Sequence, residues 1–250
     1  FRDACGIRPL VLGKKGKEMI VSSETCALQT IRAELVREIR PVEMVVINKN
    51  GVESRKLAEQ KQKLDIFEFI YFARYDSTIL GKSVYEVRKN LGRILAQEHK
   101  LDVDMVIPVP DTAVPAAIGY AEESGIPFEM GISKNHYINR TFIEPTQELR
   151  NEKVKMKLSP LASVIKGKKI AVMDDSIVRG TTSKQIVKML FGAGATEVHF
   201  LVSSAPIKFP DFYGIDTPKQ SDLIASQKTT KEICEFLGAT SLSYLSIKGM

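Results

Sequence analysis

Two adjacent carboxylates, Asp174 and Asp175, stand at the centre of the most informative stretch of this 250-residue sequence. The four apolar residues before them, 170–173, are typical of a short buried strand in a parallel sheet, which places both carboxylates at its carboxyl end. One glycine and three hydroxyl residues follow at 180–183, and the apolar residues of 184–190 share one helical face. The stretch therefore predicts a strand, an acidic pair, a Gly/Thr loop and a helix.

These residue types indicate a phosphate site. A helix N-terminus offers unpaired N–H groups and the positive end of the helix dipole, so it binds anions. Gly180 lets the backbone approach the anion, and Thr181, Thr182 and Ser183 add hydroxyl donors. Adjacent carboxylates repel unless a cation or hydroxyl donors lie between them, so a phosphorylated ribose, alone or with Mg²⁺, satisfies both features. The alternatives are a capped helix without a ligand or a phospho-acceptor pocket, and neither accounts for Arg179 beside the glycine and two threonines.

A second polar pair follows another apolar run. Residues 105–110 predict a buried strand that ends in proline, and Asp111 and Thr112 come directly after it. A helical pattern precedes this run at 83–100, and an alanine-rich helical pattern follows Thr112 and ends at Ser124. Together they predict an α/β fold with a doubly wound parallel sheet. Ligands of such sheets bind beyond the carboxyl ends of the strands, so we expect both polar pairs to face one crevice. Thr112 is alternatively a plain helix N-cap.

The remaining segments predict further elements. Residues 1–55 are predicted to be β-rich, with a hairpin over 6–22, and are too few to bury a core alone. A charged connector follows at 56–65. The aromatic run at 66–74 predicts a strand, and 221–236 predicts a single helix that Gly238 closes.

Composition excludes several classes of function. The net charge is +6, but the basic residues are scattered and show no nucleic-acid motif, so a solvated basic surface with an anion site fits better. No apolar run could span a membrane, and the start is not a signal peptide, so we expect a cytoplasmic protein. Cys5, Cys26 and Cys234 are too few and too widely spaced for a disulfide framework or a metal site.

Residues 172–182, Val-Met-Asp-Asp-Ser-Ile-Val-Arg-Gly-Thr-Thr, resemble the phosphoribosylpyrophosphate (PRPP) signature of type I phosphoribosyltransferases. The part from Ser176 onward is similar to the glutamine PRPP amidotransferase (amidophosphoribosyltransferase) family. Phe1-Arg2-Asp3, Gly6 to Leu10 and Ser23 to Ala27 resemble the closing part of its glutaminase domain. The resemblance covers essentially the whole chain. It implies the C-terminal part of an N-terminal-nucleophile glutaminase domain at 1–55 and a type I phosphoribosyltransferase domain at 56–250.

The family resemblance implies a reaction and assigns roles to residues. Ammonia displaces pyrophosphate from PRPP to give 5-phosphoribosylamine, the first step of de novo purine biosynthesis. A flexible loop over PRPP, matched to about 139–158, implies catalytic roles for Lys134, Tyr137, Arg140 and Ile143, although Lys134 and Arg140 read alone would be solvated charges. His136 stands where the family mostly has arginine and has no assigned role. The implied PRPP-binding residues are Asp111, Asp174, Asp175, Ser176, Arg179, Gly180, Thr181, Thr182 and Ser183, and the implied metal ligands are Thr112, Asp174 and Asp175.

The resemblance also implies cofactors and partners. Mg²⁺ is the expected metal, and no iron–sulfur cluster is expected because Asp65 and Asp211 stand where some members have cluster cysteines. Expected partners are PRPP, ammonia or glutamine, an N-terminal glutaminase segment, purine nucleotides as feedback inhibitors, and further copies in a dimer or tetramer. No nucleic acid or membrane is expected. The alternatives are a salvage base phosphoribosyltransferase, which would lack residues 1–55, and a non-enzymatic PRPP or nucleotide sensor.

Overall fold

The computed structural model describes residues 1–135, 137, 157–215, 217 and 219–250. The chain divides into two compact units, residues 1–87 and 88–250. Each unit has its own sheets and is described separately. The domain boundary that the sequence predicts between residues 55 and 56 stays a prediction.

The first unit contains an antiparallel sheet in the order β2-β1-β3. Its strands are β1 (Val11–Lys15), β2 (Glu18–Ser22) and β3 (Glu34–Glu38), and α1 (Thr25–Thr30) lies between β2 and β3. Gly16 has φ +60° in the turn between β1 and β2, which confirms the predicted hairpin. A Cβ on Gly13 of β1 would lie 2.6 Å from Leu28 Cδ2, so glycine lets α1 pack directly on the sheet.

Two hairpins and a π-helix complete the first unit. The hairpins pair β4 (Glu43–Asn48) with β5 (Gly51–Lys56), and β6 (Thr78–Ile79) with β7 (Lys82–Ser83). The prediction of a strand at 66–74 is wrong, because Glu68–Phe72 forms a short π-helix. Three consecutive residues, 68–70, are buried there, whereas a strand would turn every second one away. Arg8 Nη1 anchors this turn at 2.8 Å from Glu68 Oε1.

The second unit is built on a four-stranded sheet in the order β13-β12-β11-β8. All neighbouring strands in it are parallel, and a parallel sheet is what the sequence predicted. Asp174 pairs with Val202 on one side and Met173 with Pro108 on the other, so β11 is a central strand. A separate antiparallel pair joins β9 and β10. The strands are β8 (Met105–Pro108), β9 (Ile132–Lys134), β10 (Leu158–Pro160), β11 (Lys169–Asp174), β12 (Glu197–Val202) and β13 (Ser241–Tyr244).

Helices flank this sheet, and the core lies between them and β11 and β12, where Val172, Phe200 and Leu190 are fully buried. None of the described helices is both long and apolar enough to cross a membrane. The helices are α2 (Val84–Glu98), which begins in the first unit, α3 (Val114–Ser124), α4 (Ala162–Ile165), α5 (Thr181–Gly192), α6 (Ile224–Gln227) and α7 (Thr230–Leu237), with a 3₁₀ turn at Gln220–Asp222.

The single helix predicted over 221–236 is wrong, because this segment forms a 3₁₀ turn and two separate helices. Thr229 starts the second of them with a capping box. Its hydroxyl accepts a hydrogen bond from Glu232 N, and its own N–H donates to Glu232 Oε2 at 2.7 Å. A residue that caps a helix has extended backbone, so α6 cannot continue into α7.

Two glycines bring α3 into backbone contact with α2. A Cβ on Gly92 would lie 1.9 Å from the carbonyl oxygen of Ala116, and one on Gly119 would lie 1.9 Å from that of Lys89. Both positions therefore exclude every residue larger than glycine. Because α3 follows directly after Thr112, this contact also helps to fix the loop that carries Thr112.

Candidate active site

The acidic pair lies at the carboxyl end of the central strand, as predicted. Asp174 ends β11, and both neighbouring strands continue their hydrogen bonding up to it. Val109 N donates to Met173 O at 2.8 Å, and Ser203 N donates to Asp174 O at 3.0 Å. Asp174 is half-buried and Asp175 is only 5% exposed.

The two carboxylates have different surroundings. Asp175 is held at both oxygens, because the Thr112 hydroxyl donates to Oδ2 and the Ser176 hydroxyl donates to Oδ1 at 2.6 Å. Asp174 Oδ1 accepts from the Asp175 N–H at 2.9 Å. Within the part of the chain that the structure describes, Asp174 Oδ2 has no hydrogen-bond partner. One carboxylate is therefore fixed by the protein, and the other keeps an acceptor for a ligand.

Thr112 joins the acidic pair as the strand-end argument predicted. The alternative of a plain helix cap is wrong, since Ala113 occupies the cap position of α3 and no side chain caps it. The peptide bond between Pro110 and Asp111 is cis.

The site carries negative charge that the described residues do not fully neutralise. Burial raises the pKa of Asp174 well above its usual range, and the charge of Asp175 raises it further. Burial also raises the pKa of Asp175, against the opposing effects of the Ser176 and Thr112 hydroxyls and of the Arg88 guanidinium. A cation at the pair would favour both ionised forms.

The helix after the acidic pair begins earlier than predicted. Helix α5 starts at Thr181 rather than near Lys184, so the three hydroxyl residues form its first turn. The first N–H groups of a helix have no intrahelical acceptor, and Gly180 at the cap has no side chain to satisfy them. They are thus available to an anion.

Position 180 requires glycine because of both its backbone conformation and its close neighbours. Its φ of +75° lies in the left-handed region, and an added Cβ would lie 3.0 Å from Ile224 Cδ1 and 3.2 Å from Phe236 Cε1. Substitution would strain the turn and press on α6 and α7, which pack beneath it.

The structure adds partners that sequence reasoning missed. Arg179 pairs with Asp222 at 3.0 Å, and Lys184 Nζ lies 4.4 Å from the centre of the Phe236 ring. Asp222 and Phe236 come more than 40 residues later and belong to no motif, so the sequence offered no signal for either contact. The exposed Arg179–Asp222 pair holds the arginine beside the N-terminus of α5.

The residues predicted to act from the loop are only partly described. Lys134, the last residue of β9, forms an ion pair with Asp111, which brings two predicted residues together. Tyr137 is 98% exposed. Leu158 is not a loop residue, because it lies buried in β10 and pairs with Lys134. His136, Arg140 and Ile143, with the rest of 138–156, lie outside the described residues.

Comparison with known proteins identifies the family. No protein-family model matches the sequence. The amidophosphoribosyltransferase of Synechococcus elongatus is 53% identical over 254 residues, which cover 100% of this chain and 52% of that protein. The Bacillus subtilis amidophosphoribosyltransferase is 49% identical over 249 residues, covering 99% of this chain and 52% of that protein. The chain belongs to the amidophosphoribosyltransferase family.

Solved structures agree with this assignment. The Bacillus subtilis glutamine PRPP amidotransferase in complex with ADP and GMP superimposes with a TM-score of 0.91 at 50% identity, over 99% of this chain and 55% of that one. A structure of the allosteric regulatory enzyme of purine biosynthesis gives the same TM-score and identity over 53% of its length. The chain spans about half the length of the amidophosphoribosyltransferases that it matches. The predicted α/β fold is confirmed.

The donor atoms at the acidic pair suit a hard cation. Carboxylate and hydroxyl oxygens are the ligands that Mg²⁺ prefers, and Mg²⁺ is usually held by one or two carboxylates together with substrate phosphates. Asp174, Asp175 and Thr112 provide such a set. Among the described residues, no group of three or more His, Cys, Asp or Glu side chains is placed to hold a metal ion.

Proposed function

We propose that the chain binds PRPP and catalyses the displacement of its pyrophosphate by ammonia, giving 5-phosphoribosylamine. Two features that lie next to each other along the chain carry the proposal. Asp174 has one carboxylate oxygen without a hydrogen-bond partner among the described residues, and the N-terminus of α5 has no side-chain cap. The first suits a ribose hydroxyl or a cation, and the second suits a phosphate. A phosphorylated ribose carries both groups. The family assignment supports the same substrate.

The residues around α5 would bind the 5-phosphate of PRPP. Backbone N–H groups of the first turn, with the hydroxyls of Thr181, Thr182 and Ser183, would donate to the phosphate oxygens. Gly180 permits the close approach, and Arg179 adds a positive charge nearby. Because α5 begins directly after the strand-end loop, this anchor sets where the ribose reaches the acidic pair.

The acidic pair would orient the ribose. Asp174 Oδ2 is the acceptor for a ribose hydroxyl, while Asp175 is held in place by Thr112 and Ser176. Asp174, Asp175 and Thr112 would also hold Mg²⁺, which when bound neutralises the charge of the leaving pyrophosphate.

Lys134 and the residues that follow β9 would contact the pyrophosphate and the reacting carbon. Lys134 now pairs with Asp111, and this exposed ion pair can be exchanged for a phosphate contact at small cost. Tyr137, Arg140 and Ile143 are proposed to enclose the reacting carbon and exclude water, which would otherwise hydrolyse PRPP.

The bond changes need no strong general base. The lone pair of ammonia forms the C–N bond as the C–O bond to pyrophosphate breaks, and the added nitrogen then loses a proton to solvent. Catalysis would come chiefly from positioning the two reactants and from stabilising the leaving group.

The complete protein would supply the remaining partners. We propose that ammonia comes from glutamine hydrolysed in a glutaminase segment, that purine nucleotides regulate the reaction, and that the protein is a homo-oligomer. We also propose that it holds no iron–sulfur cluster. Asp65 Oδ2 lies 3.2 Å from Arg8 Nη1, and such a carboxylate, committed to an ion pair, is no substitute for a thiolate ligand.

The test is PRPP turnover with ammonia as the only nitrogen donor, followed as pyrophosphate release. Asp174→Asn should lower turnover at least about a hundredfold, a loss typical for a transition-state contact. Asp102→Asn, an equivalent change at an exposed carboxylate, should leave turnover unchanged.

Two results would contradict the proposal. Turnover with a purine or pyrimidine base in place of ammonia would favour the salvage enzyme. PRPP binding without turnover under any nitrogen donor would favour a sensor.

A further inference from the structure

The first unit contains a basic surface pocket that the proposed reaction does not use. The pocket has a volume of about 290 Å³ and lies between the chain that joins β3 to β4 and the strand β5. Its lining residues all belong to the first unit and are Arg37, Arg40, Glu43, Ser54, Lys56 and Gln60.

One buried carboxylate organises the pocket. Glu43 is 4% exposed and accepts two hydrogen bonds from Arg37. Nη1 donates to Oε2 at 2.9 Å, and Nη2 donates to Oε1 at 2.5 Å. The Ser54 hydroxyl donates to Oε1, and Arg40 N donates to Oε2 at 2.7 Å. Each carboxylate oxygen therefore has two donors, and the negative charge is balanced by Arg37.

Two further cations stand beside this neutral pair. Lys56 is directly opposite Glu43 in the β4–β5 register, and Arg40 lies in the segment that joins β3 to β4. Neither side chain has an ion-pair partner among residues 1–135, 137, 157–215, 217 and 219–250. Three cations and one carboxylate leave two positive charges in excess around one concave surface.

We propose that this pocket binds the phosphate group of a small phosphorylated metabolite, at most the size of a pentose phosphate. Two excess charges match a phosphate dianion. The guanidinium of Arg40, the ammonium of Lys56 and the amide of Gln60 are suitable donors to its oxygens. The volume lies at the lower limit of small-molecule pockets, so it suits a small ligand better than one the size of a dinucleotide.

The fixed Arg37–Glu43 pair distinguishes the pocket from scattered surface charge. Surface lysines and arginines that face only water need no ordered support beneath them. Here Glu43 fixes the Arg40 backbone through its N–H and joins β4 to β5 through Ser54. The backbone at both unpaired cations is thus fixed before a ligand arrives, which lowers the entropy cost of binding.

The experiment is a titration of the chain with inorganic phosphate at constant ionic strength, followed by backbone amide chemical shifts. We expect saturable shifts at the amides of Arg40, Ser54 and Lys56. A double variant, Arg40→Gln with Lys56→Gln, should weaken this binding at least about tenfold, because each charged contact contributes to affinity. Thermal unfolding of the double variant checks that the fold is retained.

A matched control separates a pocket from general charge attraction. Arg55 neighbours Lys56 in β5, points to the other face of the hairpin and pairs with Glu53 at 3.0 Å. Arg55→Gln removes one charge from the same strand and should change the affinity less than about twofold, as expected for an exposed pair. An equal loss in this control would overturn the proposal, as would shifts that do not saturate.

Two further readouts locate the ligand and its source. The amides of 180–184 report phosphate at the proposed PRPP site, and their shifts should be the same in the double variant and the wild type. Loss of both sets of shifts together would mean a single site and would overturn the proposal. A parallel titration with ribose 5-phosphate distinguishes the source. Tighter binding than inorganic phosphate indicates a phosphorylated sugar, and equal or weaker binding indicates free phosphate.

Discussion

Glu43 in the first unit and the Asp174–Asp175 pair in the second are carboxylates that lie wholly or partly away from solvent, and their surroundings shift their pKa values in opposite directions. Hydrogen bonds from Arg37 lower the pKa of Glu43 to about 2, despite its burial. Burial instead raises the pKa of both aspartates, and the charge of Asp175 raises the pKa of Asp174 further. Both sites receive hydroxyl donors, so hydroxyls alone do not decide the outcome.

The difference lies in where the positive charge stands. At Glu43 a guanidinium binds both carboxylate oxygens directly, and the site is electrically complete without a ligand. At the aspartates, Arg88 lowers the pKa of Asp175 but does not offset the effect of burial, and Asp174 keeps an oxygen without a hydrogen-bond partner among the described residues. A carboxylate neutralised within the fold indicates stability, whereas one left without its cation indicates a ligand that brings it.

The largest effect should come from Glu43→Gln. A carboxyl group with a lowered folded pKa stabilises the protein above its unfolded value, and this contribution is lost as the pH falls from 4.5 toward about 2. At 1.36 kcal/mol per unit, the shift corresponds to about 3 kcal/mol. Urea unfolding at pH 7 should show a loss of this order, and the variant should lack the matching part of the acid destabilisation.

Glu53→Gln is the matched control on the partner strand. Glu53 forms an exposed pair with Arg55, so its loss should cost less than about 1 kcal/mol at any pH. If both glutamine variants lose the same stability, Glu43 is not the organising charge, and the contrast with the aspartates fails.

Asp174→Asn should have a smaller effect on stability, and in the opposite direction. A carboxyl group with a raised folded pKa destabilises the fold as the pH rises from the unfolded value through the folded one, since the folded state must then bury the charge. The asparagine keeps an oxygen that can accept from Asp175 N, and it carries no charge. Urea unfolding at pH 7 should therefore show a free energy of unfolding no lower than that of the wild type. A clear loss of stability would mean that Asp174 is structural.

Local patterns were sufficient to predict part of the site. A run of apolar residues followed by carboxylates placed Asp174 and Asp175 at a strand end, and the same argument at Thr112 predicted their meeting. Both predictions depend only on polar residues that directly follow a buried strand of a parallel sheet, a pattern that short segments reveal. The ion pair of Arg179 with Asp222 joins segments 43 residues apart and left no pattern to read.

Tertiary contacts account for the rest of what the sequence did not predict. Aromatic residues at 66–74 favour a strand locally, but burial of consecutive residues and the ion pair from Arg8 to Glu68 stabilise a helical turn instead. Glu43 lies in the segment that the sequence predicts only to be β-rich, and no motif distinguishes it there. Its role depends on Arg37 of β3 and Ser54 of β5, which only folding brings to its carboxylate.

The smallest effect, and the most specific, should come from Thr112→Val. Valine keeps the shape of threonine and removes only the hydroxyl that donates to Asp175 Oδ2. The loss of one such hydrogen bond should cost about 1 kcal/mol of stability. It should also raise the Mg²⁺ concentration needed for half-maximal PRPP turnover severalfold, because Thr112 is both a proposed ligand and the group that orients Asp175. Thr112→Ser restores the donor and should recover the Mg²⁺ dependence, although it lacks the methyl group. If the serine and valine variants behave alike, Thr112 contributes only packing at the start of α3, and the acidic pair must be oriented by Ser176 alone.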